Sequence, residues 1–224
     1  MQKYDLLNFD GEFDYFAGLM LQNSVIGNIK DLDGEDCLIL LSHKPVITLG
    51  HFAKEENILM PKEFLKDKDI SVYKTDRGGD VTYHGPGQLG GYPIIDIHRK
   101  RLVDYRQRLC RTLIDTLKDY NIEAEERYGK ETGIWISDKK IASIGYAFKK
   151  FPEAEGKIIT KHGFALYVLD DMENFRYINP CGMPGMKLTS IEEQIGKKVD
   201  FQELKEKYIK HFEEVFEYEP YAKA

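Results

Sequence analysis

Apolar residues between Phe13 and Ile26 recur at roughly helical spacing, which predicts a helix with Gly27 as its stop. Cys37–Ser42 and Val46–Leu49 are short apolar runs separated by His43-Lys44-Pro45, a pattern of strand, turn, strand. Ile70–Thr75 alternates apolar and polar positions like a half-buried strand and leads into a glycine-rich stretch, Arg77 to Tyr92. Leu102–Tyr120 gives the clearest helix: Leu102, Tyr105, Leu109, Leu113 and Leu117 form one stripe, with arginines and acids opposite. Gly133–Ser137 and Ile141–Phe148 are strand-like and joined by Asp138-Lys139-Lys140, which predicts a hairpin. Phe164–Leu169 is a further strand. Phe201–Phe216 closes the chain as an amphipathic helix with Phe201, Leu204, Tyr208, Phe212 and Val215 inward. Strands and helices alternate irregularly rather than as repeating βα units. The expected class is therefore α+β, in a single domain over 1–224 without repeat or linker.

Composition narrows the function classes. The chain has 224 residues, 42% apolar and 31% charged, as an ordinary globule does. Its net charge of −6 and the lack of a long lysine/arginine stripe argue against nucleic acid as a partner. Cys37, Cys110 and Cys181 include no CxxC pair, so neither a disulfide framework nor a zinc knuckle is signalled. Met1 to Asp10 does not read as a signal peptide, and no apolar run is long enough to span a bilayer. The expected setting is cytoplasmic, with no membrane partner.

Arg77 to Tyr92 carries six glycines among sixteen residues, yet fits neither GxxxxGK[ST] nor a GxGxxG turn opening a helix. A phosphate cradle is poorly supported. One reading is a structural turn around Pro86; the other, favoured by Arg, Thr, Tyr, His and Gln in the same stretch, is a site for an elongated, partly apolar ligand.

Cys181 lies in Asn179-Pro-Cys-Gly-Met-Pro-Gly185, a stiff, exposed turn, whereas Cys37 and Cys110 sit in apolar runs as small buried hydrophobes. A thiol needs activation to serve as a nucleophile, and a neighbouring cation supplies it. Lys140, His84 and His162 are the candidates, and spacing does not select among them. A zinc site from His84, His162 and Cys181 lacks local ligand pairing. Glu192 and Glu193 read as ordinary solvated acids.

Four ordered strings carry a resemblance that spans about Pro45 to Ser190. They are Arg77-Gly-Gly-x-x-Thr-Tyr-His-Gly-Pro-Gly-Gln-Leu-x-Gly-Tyr-Pro93, Lys140-Ile-Ala-Ser-Ile-Gly145, His162-Gly-Phe-Ala165 and Asn179-Pro-Cys-Gly182. Together they resemble the signature of the lipoyl(octanoyl) transferases, also called lipoate–protein ligase B. The resemblance implies a mixed β-sheet flanked by helices, like that of biotin and lipoate protein ligases. It implies transfer of octanoyl from acyl carrier protein to a lysine of lipoyl domains, those of 2-oxoacid dehydrogenase E2 subunits and the glycine-cleavage H protein. It implies no metal, nucleotide or other cofactor.

By motif, Cys181 is the acyl-carrying residue and Lys140 its partner. Arg77, Gly78, Gly79, Asp80, Val81, Thr82, Tyr83 and His84, then Ser143, Ile144 and Gly145, then Gly163, Phe164 and Ala165, are the implied substrate-binding residues. Backbone N–H groups of Gly182 or the Gly78-Gly79 turn are candidate oxyanion donors. Lys139, Lys149, Lys150, Lys157 and Lys161 are candidates for a docking patch facing acidic protein partners. Gly90, Tyr167 and the stretch Lys149–Lys161 depart from the family pattern. Two rival readings remain: an ATP-dependent lipoate ligase of the same fold, and a non-catalytic module that binds an acyl group or a lipoyl domain.

Overall fold

The structure, a computed structural model, describes residues 2–31, 34–97, 102–169 and 172–221. The chain begins with β1 (Gln2–Phe13), α1 (Tyr15–Asp31) and β2 (Asp36–His43), then β3 (Val46–Leu49), α2 (Lys62–Asp67), β4 (Ser71–Lys74), β5 (Val81–His84) and β6 (Gln88–Ile94). The second half holds α3 (Leu102–Lys118), β7 (Glu125–Arg127), β8 (Gly133–Ile136), β9 (Lys139–Phe151), β10 (Lys157–Tyr167), β11 (Lys187–Leu188), α4 (Ile191–Ile195), α5 (Phe201–Phe216) and β12 (Tyr218–Pro220).

Two sheets form. The larger runs β12-β1-β2-β6-β10-β9-β8-β7, with β11 added beside β9; the smaller runs β4-β3-β5. β1 and β2 are parallel and linked through α1, while β2, β6, β10, β9, β8 and β7 pair antiparallel in succession. The two apolar runs on either side of His43-Lys44-Pro45 are strands as expected, but they belong to different sheets.

Burial explains the layering. Leu109 and Leu113 of α3, with Tyr208 and Phe212 of α5, pack with Leu40, Leu89 and Leu166 of the large sheet. The side chain of Leu102, first in the predicted α3 stripe, lies outside the described residues. On the other face Ile26 and Ile29 of α1 meet Ile39, Leu41 and Ile94. Each fully buried aliphatic side chain contributes about 1.5–3 kcal/mol relative to exposure, so these two faces dominate the fold's stability. A third cluster, around Ile47, Val81, Tyr83, Tyr167 and Phe175, joins the small sheet to the large one.

Two expectations are corrected. Gly27 does not stop α1, which continues to Asp31 because Ile29, at 2% exposure, offsets the helix cost of a glycine. Glu192 is buried rather than solvated, accepting the Val199 N–H at 3.0 Å, whereas Glu193 is exposed, as expected, and pairs with Lys139.

Candidate active site

Arg77 begins the site. Its guanidinium is buried and bonds neutral oxygens throughout: Nε to Thr48 Oγ1 at 3.0 Å, Nη2 to the carbonyls of Thr48 and Asp80 at 2.7 Å each, and Nη1 to the Gly78 carbonyl at 2.9 Å. Burial lowers its pKa. These bonds curl residues 77–80 against the end of β3, and His51 N–H and Phe52 N–H close the curl on the Arg77 and Gly79 carbonyls. Asp80 then accepts from Asn57 Nδ2, and Asn57 in turn carries the cysteine turn, because its carbonyl accepts Asn179 N–H at 2.8 Å.

Pro180–Gly182 make a single 3-10 turn, and Cys181 within it adopts φ 55, ψ 23. A left-handed backbone at a residue with a Cβ is sparsely populated and persists where its surroundings over-determine it. The bonds from Gly182 N–H to the Asn179 carbonyl and from Met183 N–H to the Pro180 carbonyl hold it there.

Opposite the turn, β9 supplies Lys140, whose Nζ donates to Cys181 Sγ at 3.3 Å. Lys140 is only 1% exposed, its amine over the Trp135 ring. Two features put it there. A bulge at Ile141 (Trp135 opposes Lys140, Ile134 opposes Ala142) inverts the alternation of β9, so Lys140 shares the site with Ser143. Gly133 supplies the space: a Cβ there would stand 2.3 Å from Lys140 Cε and 2.5 Å from the Ala142 carbonyl oxygen.

The turn and β9 border a cavity of about 610 Å³. Arg77, Gly78, Gly79, Asp80, Thr82, His84, Ser143, Ile144, Gly145, Gly163, Phe164, Ala165 and Cys181 all line it; Lys140 lies behind Cys181. Val81 and Tyr83 do not line it. They alternate with Thr82 and His84 along β5 and so face the third apolar cluster, where Tyr83 accepts from Asn174. Much of the glycine-rich segment is thus strand, β5 and β6, rather than loop.

Of the three cations considered for Cys181, Lys140 is the one bonded to it. His162 instead pairs with Asp76 at 2.8 Å, and burial lowers its pKa. His84 stacks on Tyr15 at 6.1 Å and is held neutral by burial. Among the described residues, no group of three or more His, Cys, Asp or Glu could hold a metal. Lys161 is buried, bonded to Asp76, and is not available to a docking patch; Lys150 of the same set is exposed.

Sequence reasoning missed Tyr15, Phe52, Tyr92, Tyr146 and Met183 in the cavity wall. Tyr15 and Tyr92 belong to a polar aromatic group with His43. The carbonyl of Phe13 can only accept, so His43 Nδ1 carries the proton and donates to it at 3.1 Å. Burial pushes the ring's pKa down to about 4, so the ring is neutral and Nε2 accepts from Tyr92 OH at 2.6 Å.

The site thus sets a thiol beside a buried lysine amine on a mixed sheet flanked by helices. The fold matches lipoate-protein ligase A bound with ATP at TM-score 0.80, with 14% identity over 99% of this chain and 90% of that one. A structure from the archaeal lipoylation system of Thermoplasma acidophilum gives TM-score 0.80, with 14% identity over 100% and 87%. The model of the lipoyl protein ligase A/B catalytic domain matches residues 14–213, and the chain belongs to that family. Curated relatives include octanoyltransferases of Desulforamulus reducens, 38% identical over 213 residues (94% of this chain, 90% of the relative), and of Solibacter usitatus, 40% over 211 (93% and 91%).

Proposed function

We propose that this acyltransferase moves an octanoyl or lipoyl group from acyl carrier protein to a lysine of a lipoyl domain, through a thioester on Cys181. The names of the curated relatives support octanoyl transfer. The observation that carries the mechanism is the 3.3 Å bond from the Lys140 amine to Cys181 Sγ at the wall of a cavity large enough for a medium acyl chain.

The Lys140 ammonium pairs with the Cys181 thiolate, which attacks the donor's thioester carbonyl. The bond from that carbon to the phosphopantetheine sulfur breaks, and the leaving thiolate takes a proton from Lys140. One thioester replaces another, so no ATP is consumed. The incoming lysine, as free amine, then attacks the acyl-enzyme, and Lys140, now neutral, takes the proton of its ammonium intermediate. Collapse to the amide frees the Cys181 thiolate and makes this half-reaction downhill. Gly182 N–H and Gly78 N–H, considered as oxyanion donors, are bonded to the Asn179 and Tyr146 carbonyls.

The test is intact-protein mass after brief incubation with octanoyl–acyl carrier protein, without ATP. A single octanoyl increment is expected on the wild type, discharged by a lipoyl domain, absent from Cys181→Ala and about 10²-fold slower to form in Lys140→Met. The similarity to an ATP-bound ligase favours the adenylate reading as the alternative. Transfer that requires ATP and survives Cys181→Ala would select it.

A further inference from the structure

Ser143 presents a hydroxyl to the cavity in a setting that leaves its proton unspent. It stands on β9 directly opposite Gly133, the residue whose missing Cβ houses the end of Lys140. Directly opposed residues are about 4.5–5.5 Å apart, so Ser143 lies within one strand pair of the lysine that touches Cys181 Sγ. On its other side it opposes Ala165 of β10, and its Oγ meets the Tyr167 hydroxyl at 2.5 Å.

Chemistry gives that bond a direction. Tyr167 is 1% exposed, its ring edge-on to Phe175 at 5.3 Å within the third apolar cluster. Burial holds the phenol above its ordinary range, against the lowering pull of hydrogen bonds with Ser143 and Thr82, so it stays O–H. A phenol is a stronger acid than an aliphatic alcohol and hence the stronger donor, and the serine oxygen the better acceptor. Tyr167 therefore donates to Ser143, and the serine proton is left to a partner in the cavity. Two backbone N–H groups near the site are already committed to carbonyls.

We infer that Tyr167 is a positioning residue: it fixes Ser143 Oγ so that the serine hydroxyl donates to the thioester carbonyl oxygen as negative charge develops there. The inference rests on the Cys181 reading above. The carbonyl carbon gains the Cys181 sulfur, its π electrons move to oxygen, and the Ser143 O–H···O bond shortens without proton transfer. When the intermediate collapses the bond relaxes and the serine keeps its proton.

The experiment is single-turnover acylation of Cys181 by octanoyl–acyl carrier protein, read by intact mass, alongside the Kd of free octanoate. Ser143→Ala should slow acylation about 10²-fold, the loss typical of one oxyanion donor. Tyr167→Phe, which keeps the ring against Phe175, should slow it about 10-fold. The double variant should be no slower than Ser143→Ala, and Tyr167→Phe, whose residue does not line the cavity, should leave octanoate affinity unchanged. Tyr167→Phe acylating at the wild-type rate would overturn the inference, as would a full 10-fold further loss when it is added to Ser143→Ala. Wild-type protein that gains no octanoyl increment while still catalysing transfer would instead bring down the Cys181 reading, and this inference with it.

Discussion

Two polar groups share one cavity wall. At Cys181 a thiol on a turn meets the amine of Lys140, and the sulfur remains half-buried, bordering the cavity. At His43 a ring at the end of a strand meets Tyr92 on one side and the Phe13 carbonyl on the other, and both its nitrogens are spoken for. Each pair includes a buried polar side chain, Lys140 in one and His43 in the other. The difference is residual valence. The His43 group is neutral and closed, so burial makes it a fixed piece of wall; the Cys181 group sets an amine beside an accessible thiol. Desolvation is common to both, so it does not by itself mark chemistry.

The other thiols sharpen that contrast most. Burial pushes Cys37 and Cys110 up to about 12, so at pH 8 roughly 10⁻⁴ of each is thiolate. Cys181, bonded to the Lys140 amine at the cavity wall, should react with iodoacetamide at least about 10³-fold faster than either, read by peptide mass spectrometry under native conditions. Equal labelling of the three would break the comparison.

His43 tests the closed side through pH. The folded protein keeps the ring neutral down to about 4, whereas an unfolded chain protonates it near 6.5. Between those values the unfolded state binds the extra proton. The stabilisation is thus complete above about pH 6.5 and is lost as pH falls towards 4, to a total of about 3 kcal/mol. Urea unfolding from pH 7 to 4 should show His43→Gln losing about that much less stability than wild type. Parallel curves would mean that His43 is not held neutral.

How much of this was legible beforehand depended on whether the signal was local. The amphipathic helices at α3 and α5 and the β8–β9 hairpin were, because a single buried face imposes a period on the chain. β1 was not. Tyr4 and Leu6 pack into one core cluster and Leu7, Phe9 and Phe13 into another, so its two covered faces erase the alternation. In the site, motif strings named Cys181 and Lys140, but spacing could not choose among lysine and two histidines. A bulge in β9 and a glycine in β8 make that choice, and neither leaves a mark at Lys140 itself. Tyr15 and Tyr92 escaped notice because each belongs to an element whose pattern speaks only of burial. Val81 and Tyr83, adjacent in sequence to cavity residues, point away because β5 is a strand.

Gly133 gives a smaller lever on the open side. An alanine Cβ would press on both Lys140 Cε and the Ala142 carbonyl oxygen, and the backbone atom cannot move as a side chain can. Overpacking of this kind costs about 1–3 kcal/mol. Gly133→Ala should lower stability by about 2 kcal/mol and slow Cys181 alkylation, since Lys140 must leave the sulfur to make room. Unchanged alkylation would mean that the amine does not set the reactivity of the thiol.

The smallest effect is expected at Tyr92. Tyr92→Phe deletes one neutral hydrogen bond and leaves His43 Nε2 a buried acceptor without its phenol. The net cost should be about 1 kcal/mol, at the low end of the penalty for an unsatisfied buried group, because the ring keeps its bond to the Phe13 carbonyl. Cys181 alkylation should not change, since the variant touches neither the turn nor β9. A drop in alkylation as large as that of Gly133→Ala would mean that the two groups form one coupled network, and that the closed cluster helps to hold the open one in place.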